Sequence, residues 1–127
     1  MRKLNLNIGK INYRRKMDSP YDVVMIPMEH LEYNKERNTE ERMNRKLKGC
    51  PLTVRVHASI KEIGLQNPLV VEKRGENRYG VLLGANRLVS LKALGWTEVP
   101  CIITPDSSVE ALKKIRKTYK RVKGIGV

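Results

Sequence analysis

Between Leu69 and Leu94 the chain changes its hydrophobic period at a single glycine, and that change constrains the fold more than any other stretch. Leu69-Val70-Val71-Glu72-Lys73 and Arg78-Tyr79-Gly80-Val81-Leu82-Leu83 have strand composition and flank Gly75-Glu76-Asn77, which has the composition of a tight turn. They predict a β-hairpin. Gly84 breaks the returning strand, and residues 86–94 read as a helix closed by Gly95. Residues 98–103 follow as a further buried strand. Upstream, Asp22-Val23-Val24-Met25-Ile26-Pro27 reads as a strand stopped by proline, and 28–32 as a short turn or helix. Thr53 is expected to cap a helix over 54–63, with Val56, Ile60 and Ile63 on one side and Gly64 as its stop. Pro68 biases Asn67 to an extended conformation. The expected class is α+β, a small mixed sheet with flanking helices.

The two ends carry a different signal. The chain has 127 residues and a net charge of +13, but residues 50–105 contribute only +3 of it and the flanks the other +10. Residues 1–20, with Arg14, Arg15 and Lys16, read as a basic arm with little structure of its own. Residues 34–49 are charge-dense and fit either an exposed helix or a mobile loop. In 106–127, Ser107 and Glu110 match a capping box, and Leu112, Ile115, Tyr119 and Val122 trace a narrow apolar stripe. Lys113, Lys114, Arg116, Lys117, Lys120 and Arg121 lie around it. Basic excess at the ends of a chain suits polyanion contact, and DNA is the expected partner of these lysines and arginines together with Arg14, Arg15 and Lys16. The organisation expected is an arm over 1–20, a domain over 21–105 and a basic amphipathic helix over 106–127.

Other classes find little support. No apolar run approaches the roughly 18 residues of a membrane span, and no secretory signal follows the basic start, so the expected location is the cytoplasm. Cys50 and Cys101 form no Cys-x-x-Cys pair, His30 and His57 are isolated, and no metal site is expected. Phe is absent and Trp96 is alone, so the core must be built from Leu, Ile and Val.

The chemistry concentrates at Gly84-Ala85-Asn86-Arg87. A glycine between strand and helix lets the backbone turn sharply and approach a ligand, and the helix that begins there offers free N–H groups and a positive dipole end. Arg87 stands in the first turn, where its planar fork can hold a phosphate, and Asn86 adds a donor and an acceptor. On chemistry alone an ordinary solvated arginine is the favoured reading.

Two linked strings sharpen this. Gly64-Leu65-Gln66-Asn67-Pro68-Leu69-Val70-Val71 precedes the hairpin, and Gly84-Ala85-Asn86-Arg87, a helix, and Leu94-Gly95-Trp96-Thr97-Glu98-Val99-Pro100 follow it. This arrangement resembles the ParB N-terminal domain of the ParB/sulfiredoxin superfamily, over about residues 22–105. The resemblance implies a nucleotide pocket for a nucleoside triphosphate, CTP or ATP, with Mg²⁺ accompanying it. Gly84, Asn86 and Arg87 would take the phosphates, and Gly64, Leu65 and Gln66 would line the nucleotide. Sulfiredoxins place a catalytic cysteine where this chain has Ala85, so sulfinic-acid repair is not expected. Partition proteins have Glu and Arg where Ala85 and Asn86 stand, which puts their hydrolysis in doubt. The chain would be a stand-alone module of the kind found in phage and mobile-element proteins.

The leading expectation is therefore a nucleotide-binding module that also binds DNA through its basic ends. One alternative is an enzyme: a ParB-like nuclease, an NTPase or a phosphotransferase. Its acids in the core would be Glu62, Glu72, Glu76 and Glu98, none of them a paired carboxylate motif. Another is a protein-binding or virion-structural part, with the C-terminal stripe docking on a partner or on a second copy in a homodimer.

Overall fold

The computed structural model describes residues 21–34 and 38–119. Five strands form one sheet: β1 (Val24–Pro27), β2 (Leu31–Tyr33), β3 (Leu69–Gly75), β4 (Arg78–Leu83) and β5 (Glu98–Ile103), in the order β1-β5-β3-β4-β2. The helices are α1 (Glu40–Gly49), α2 (Pro51–Ile63), α3 (Ala85–Ala93) and α4 (Val109–Tyr119). β3 and β4 pair antiparallel as the expected hairpin, with Asn77 at φ +56 in its turn. The crossover through α3 then brings β5 back parallel to β3, Leu69 opposite Cys101 and Val70 opposite Ile102. β1 closes one edge antiparallel to β5, and β2 closes the other parallel to β4. The sheet is mixed, and the class is α+β.

The central strand explains why Leu69-Val70-Val71 is continuously apolar. Successive side chains of a strand point to opposite faces, and this strand is covered on both. Leu69 and Val71 join Val81, Val99, Met43 of α1, Val56 and Ile60 of α2, and Leu88 and Leu91 of α3 in the main core. Val70 and Ile102 face the other way, onto Ile115 of α4, with Leu83 and Leu112 packed beside them. Burying an aliphatic side chain of this size stabilises by about 1.5–3 kcal/mol, so Ile115 and Leu112 contribute to holding α4 on the sheet. The Leu112 and Ile115 part of its apolar stripe is thus packed on the sheet. Val122 and the side chain of Tyr119 lie outside the described residues.

Several boundaries depart from the sequence reading. Residues 40–49 form a helix, because Thr39 caps it: its Oγ1 accepts the Arg42 N–H at 3.0 Å. α2 begins at Pro51 with Cys50 as N-cap, so Thr53 is not the cap but an interior residue, fully buried. Proline at the first helical position loses nothing there, since that N–H has no helical partner. α4 is capped by Ser108 rather than Ser107, its Oγ accepting the Ala111 N–H at 3.2 Å. The strand β2 was not expected. Three residues are too short to show a period, although Leu31 and Tyr33 face the core and Glu32 faces out. Glu32 fixes that edge through Arg78 at 3.1 Å and Arg74 at 3.4 Å, and the two guanidinium groups hold its carboxyl below the usual carboxylate range.

Candidate anion-binding site at the start of the third helix

The site is built where β4 ends. Gly84 adopts φ +114, and a Cβ there would lie 2.7 Å from Leu69 Cγ, so both its conformation and its clearance demand glycine. It is the N-cap of α3 and has no side chain with which to cap it. The Leu88 N–H donates to the Gly84 carbonyl at 2.8 Å, which leaves the N–H groups of Ala85, Asn86 and Arg87 ahead of the first helical bond.

Arg87 does not stand out in solvent. It is only 7% exposed, and its Nη1 donates to the carbonyls of Asn67 at 2.9 Å and Pro68 at 3.1 Å. Its Nε is buried without a hydrogen-bond partner. Among the described residues no carboxylate lies within ion-pair distance of it. The fork that sequence suggested would hold a phosphate is therefore partly engaged already, tying the loop at 64–68 to the first turn of α3. Burial pulls the guanidinium down to about 10, and the neighbouring Arg116 of α4 acts in the same direction, while the Cys101 sulfur opposes it. It stays charged at neutral pH. Burial therefore works against the charge that the two carbonyls face. An anion would offset this.

Asn86 is held from the neighbouring helix, where the Thr53 hydroxyl donates to its Oδ1 at 2.9 Å. The loop contributes Gly64, at φ +87, which ends α2 through its N–H on the Ile60 carbonyl at 2.9 Å. The Leu65 side chain is wholly buried in the core, so it supports the loop from behind. Gln66 is half-buried, its Nε2 donating to the Ile63 carbonyl at 3.2 Å. The structure thus brings Gly84, Asn86, Arg87 and the loop together. Sequence reasoning missed Thr53 and the Asn67 and Pro68 carbonyls. Thr53 had a signal, a polar residue at helical spacing from Val56 and Ile60; backbone carbonyls have none.

Of the nine basic residues expected to meet DNA, Lys113, Lys114, Arg116 and Lys117 are exposed on α4, across the sheet from α1, α2 and α3. Arg14, Arg15, Lys16, Lys120 and Arg121 lie outside the described residues. Cys101 is buried as a free thiol, and among the described residues no cluster of three or more His, Cys, Asp or Glu could hold a metal. No helix among them is long and apolar enough to cross a membrane.

The model of the ParB N-terminal domain matches residues 13–116. The chain belongs to that family. The match continues past β5 into α4, as far as Arg116. A nucleoid occlusion protein of Lysinibacillus sphaericus is 29% identical over 82 residues, which is 65% of this chain and 26% of that protein. The chain thus spans about a quarter of the length of such relatives. Chromosome-partitioning ParB from Caulobacter crescentus, complexed with CTP-gamma-S, shares the fold at a TM-score of 0.55 and 20% identity, over 80% of this chain and 54% of that one. A free serine kinase in complex with AMP does so at a TM-score of 0.50 and 19% identity, over 68% of this chain and 32% of that one.

Proposed function

We propose that this ParB-type domain binds the phosphates of a nucleoside triphosphate, CTP or ATP, at Gly84-Ala85-Asn86-Arg87, with Mg²⁺ accompanying the phosphates. The observation that carries the reading is Arg87: a charged, almost fully buried guanidinium at an uncapped helix N-terminus, facing carbonyl dipoles and, among the described residues, no acid. A phosphate there meets three backbone N–H groups, the positive end of α3 and a cation that gains by its arrival. Relatives of the fold bound to CTP-gamma-S and to AMP support a nucleotide over inorganic phosphate alone. The test is calorimetry with CTP, ATP, GTP and their diphosphates in Mg²⁺. At least one triphosphate is expected to bind more tightly than its diphosphate, and the absence of heat with all of them at millimolar concentration would refute the reading.

The exposed basic face of α4 supports DNA as a second ligand, because Leu112 and Ile115 turn the other way, onto the sheet. Each phosphate neutralised on a duplex adds about −0.9 to the slope of log affinity against log salt. Replacing Lys113, Lys114 and Lys117 by Ala is expected to make that slope shallower by about two to three and to weaken all sequences alike. A mutant that keeps the wild-type slope would remove α4 from the DNA contact.

A further inference from the structure

Asn86 occupies the second position of α3, where its side chain is a choice between two chemistries. Its carbonyl oxygen would repel an anion at the helix start, and its amide would bind one. The choice is made by a residue on another helix. Thr53 of α2 is fully buried, and its hydroxyl donates to Asn86 Oδ1 at 2.9 Å. The hydroxyl hydrogen can serve one acceptor at a time, and in the structure it serves Asn86 rather than the Cys50 sulfur, which also lies within its reach and would compete for it as a thiolate. With Oδ1 turned towards α2, the Nδ2 branch of the same planar group is turned away from it. Among the described residues no acceptor takes its hydrogens, and Nδ2 is not among the buried atoms left without a partner, so it opens to solvent.

We propose that Thr53 is a positioning residue of the anion site, which locks the Asn86 side chain with its amide outward and so makes the first turn of α3 a surface of donors only. This deepens the phosphate-site reading and rests on it. The arrangement is economical in physical terms. A buried hydroxyl must find a partner, and a surface amide left free would sample both flips, presenting its oxygen to the ligand part of the time. Locking the group removes that unfavourable half and the entropy loss of ordering it on binding. Thr53 touches no ligand in this account, so its influence must pass through Asn86.

That dependence supplies the experiment. Affinity for CTP, ATP and inorganic tripolyphosphate is measured for wild type, Thr53→Val, Thr53→Ser, Asn86→Ala and the Thr53→Val/Asn86→Ala double variant. Valine has nearly the shape of threonine, so the core should keep its packing, which the backbone amide spectrum checks. The expected result is a loss of about three- to tenfold in Thr53→Val, the worth of one positioned hydrogen bond. Thr53→Ser, which keeps the hydroxyl, should recover affinity to within about twofold of wild type. In the Asn86→Ala background the valine substitution should cost nothing further, since its intermediary is gone. The Asn86 side-chain amide resonances should also move on Thr53→Val without ligand, a change that a purely volumetric role of Thr53 would not produce. Equal affinity of Thr53→Val and wild type, or an undiminished loss in the Asn86→Ala background, would overturn the role of Thr53 while leaving the phosphate site in place. Failure of the wild-type protein to bind any of the three ligands would instead overturn the site itself, and this inference with it.

Discussion

Replacing Arg87 by Met is expected to abolish phosphate binding while leaving most of the stability intact, and replacing it by Ala is expected to damage both. The difference follows from what the guanidinium does in the free protein. Losing it leaves the Asn67 and Pro68 carbonyls without a donor, at about 1–3 kcal/mol for each buried group. Against this stands relief from burying a charge, because the charge itself is gone. For methionine, which fills most of the volume, these partly offset, and a net loss of no more than about 3 kcal/mol is expected. Alanine adds a cavity among Leu69, Gly84 and the loop, which brings the loss to about 2–4 kcal/mol. Both variants lose the cation, so triphosphate affinity should fall about a hundredfold or more in each. Urea unfolding beside calorimetry separates the two effects. A methionine variant that binds nucleotide like wild type would show that Arg87 is only a clasp for the loop.

The two cysteines are expected to differ in reactivity by at least about a thousandfold in the folded protein. Cys50 is partly exposed at the start of α2, where the Thr53 hydroxyl, if it turns from Asn86 to an ionised sulfur, and the backbone N–H groups of Thr53 and Leu52 favour the thiolate and hold the thiol below its ordinary value. Cys101 lies in the middle of β5 with no exposed surface, its Sγ–H directed to the Val99 carbonyl at 3.5 Å, and burial pushes it up to about 12. Only the thiolate attacks, so at pH 7.5 Cys101 is disfavoured by its ionisation and by its inaccessibility together. A chromogenic disulfide reagent should therefore label one thiol per chain promptly and the second only at the rate of global unfolding. Comparable rates would mean that β5 opens readily, which would contradict its place between β1 and β3.

Much of this fold was legible in residue order. The hairpin, the glycine break and the returning strand follow from local period and turn chemistry, and the covered central strand is visible in the unbroken Leu69-Val70-Val71 run. The helix over 40–49 was ambiguous because only Met43 and Leu47 turn inward among its charges, and its cap, Thr39, decides it. β2 was lost to its shortness, since its partner β4 lies more than forty residues away and pairs with it parallel. At the site, Gly84, Asn86 and Arg87 were found because glycine, dipole and guanidinium are local signals. The burial of Arg87 was not, since it depends on two carbonyls from a loop brought in by α2, and hydrogen bonds to backbone leave no trace in side-chain identity. The role of Thr53 depends likewise on the packing of α2 against α3.

The central claim is that the first turn of α3 receives phosphate, and a nitrogen-15 amide titration tests it most directly. The protein in 0.1 M salt is titrated with Mg²⁺ and CTP, then separately with ATP. The account predicts that the backbone amides of Ala85, Asn86 and Arg87 shift most and saturate together, with smaller changes at Gly64 and Gln66 and none on the exposed face of α1. Shifts confined to the lysines and arginines of α4, with the three amides of α3 unmoved at saturation, would contradict it.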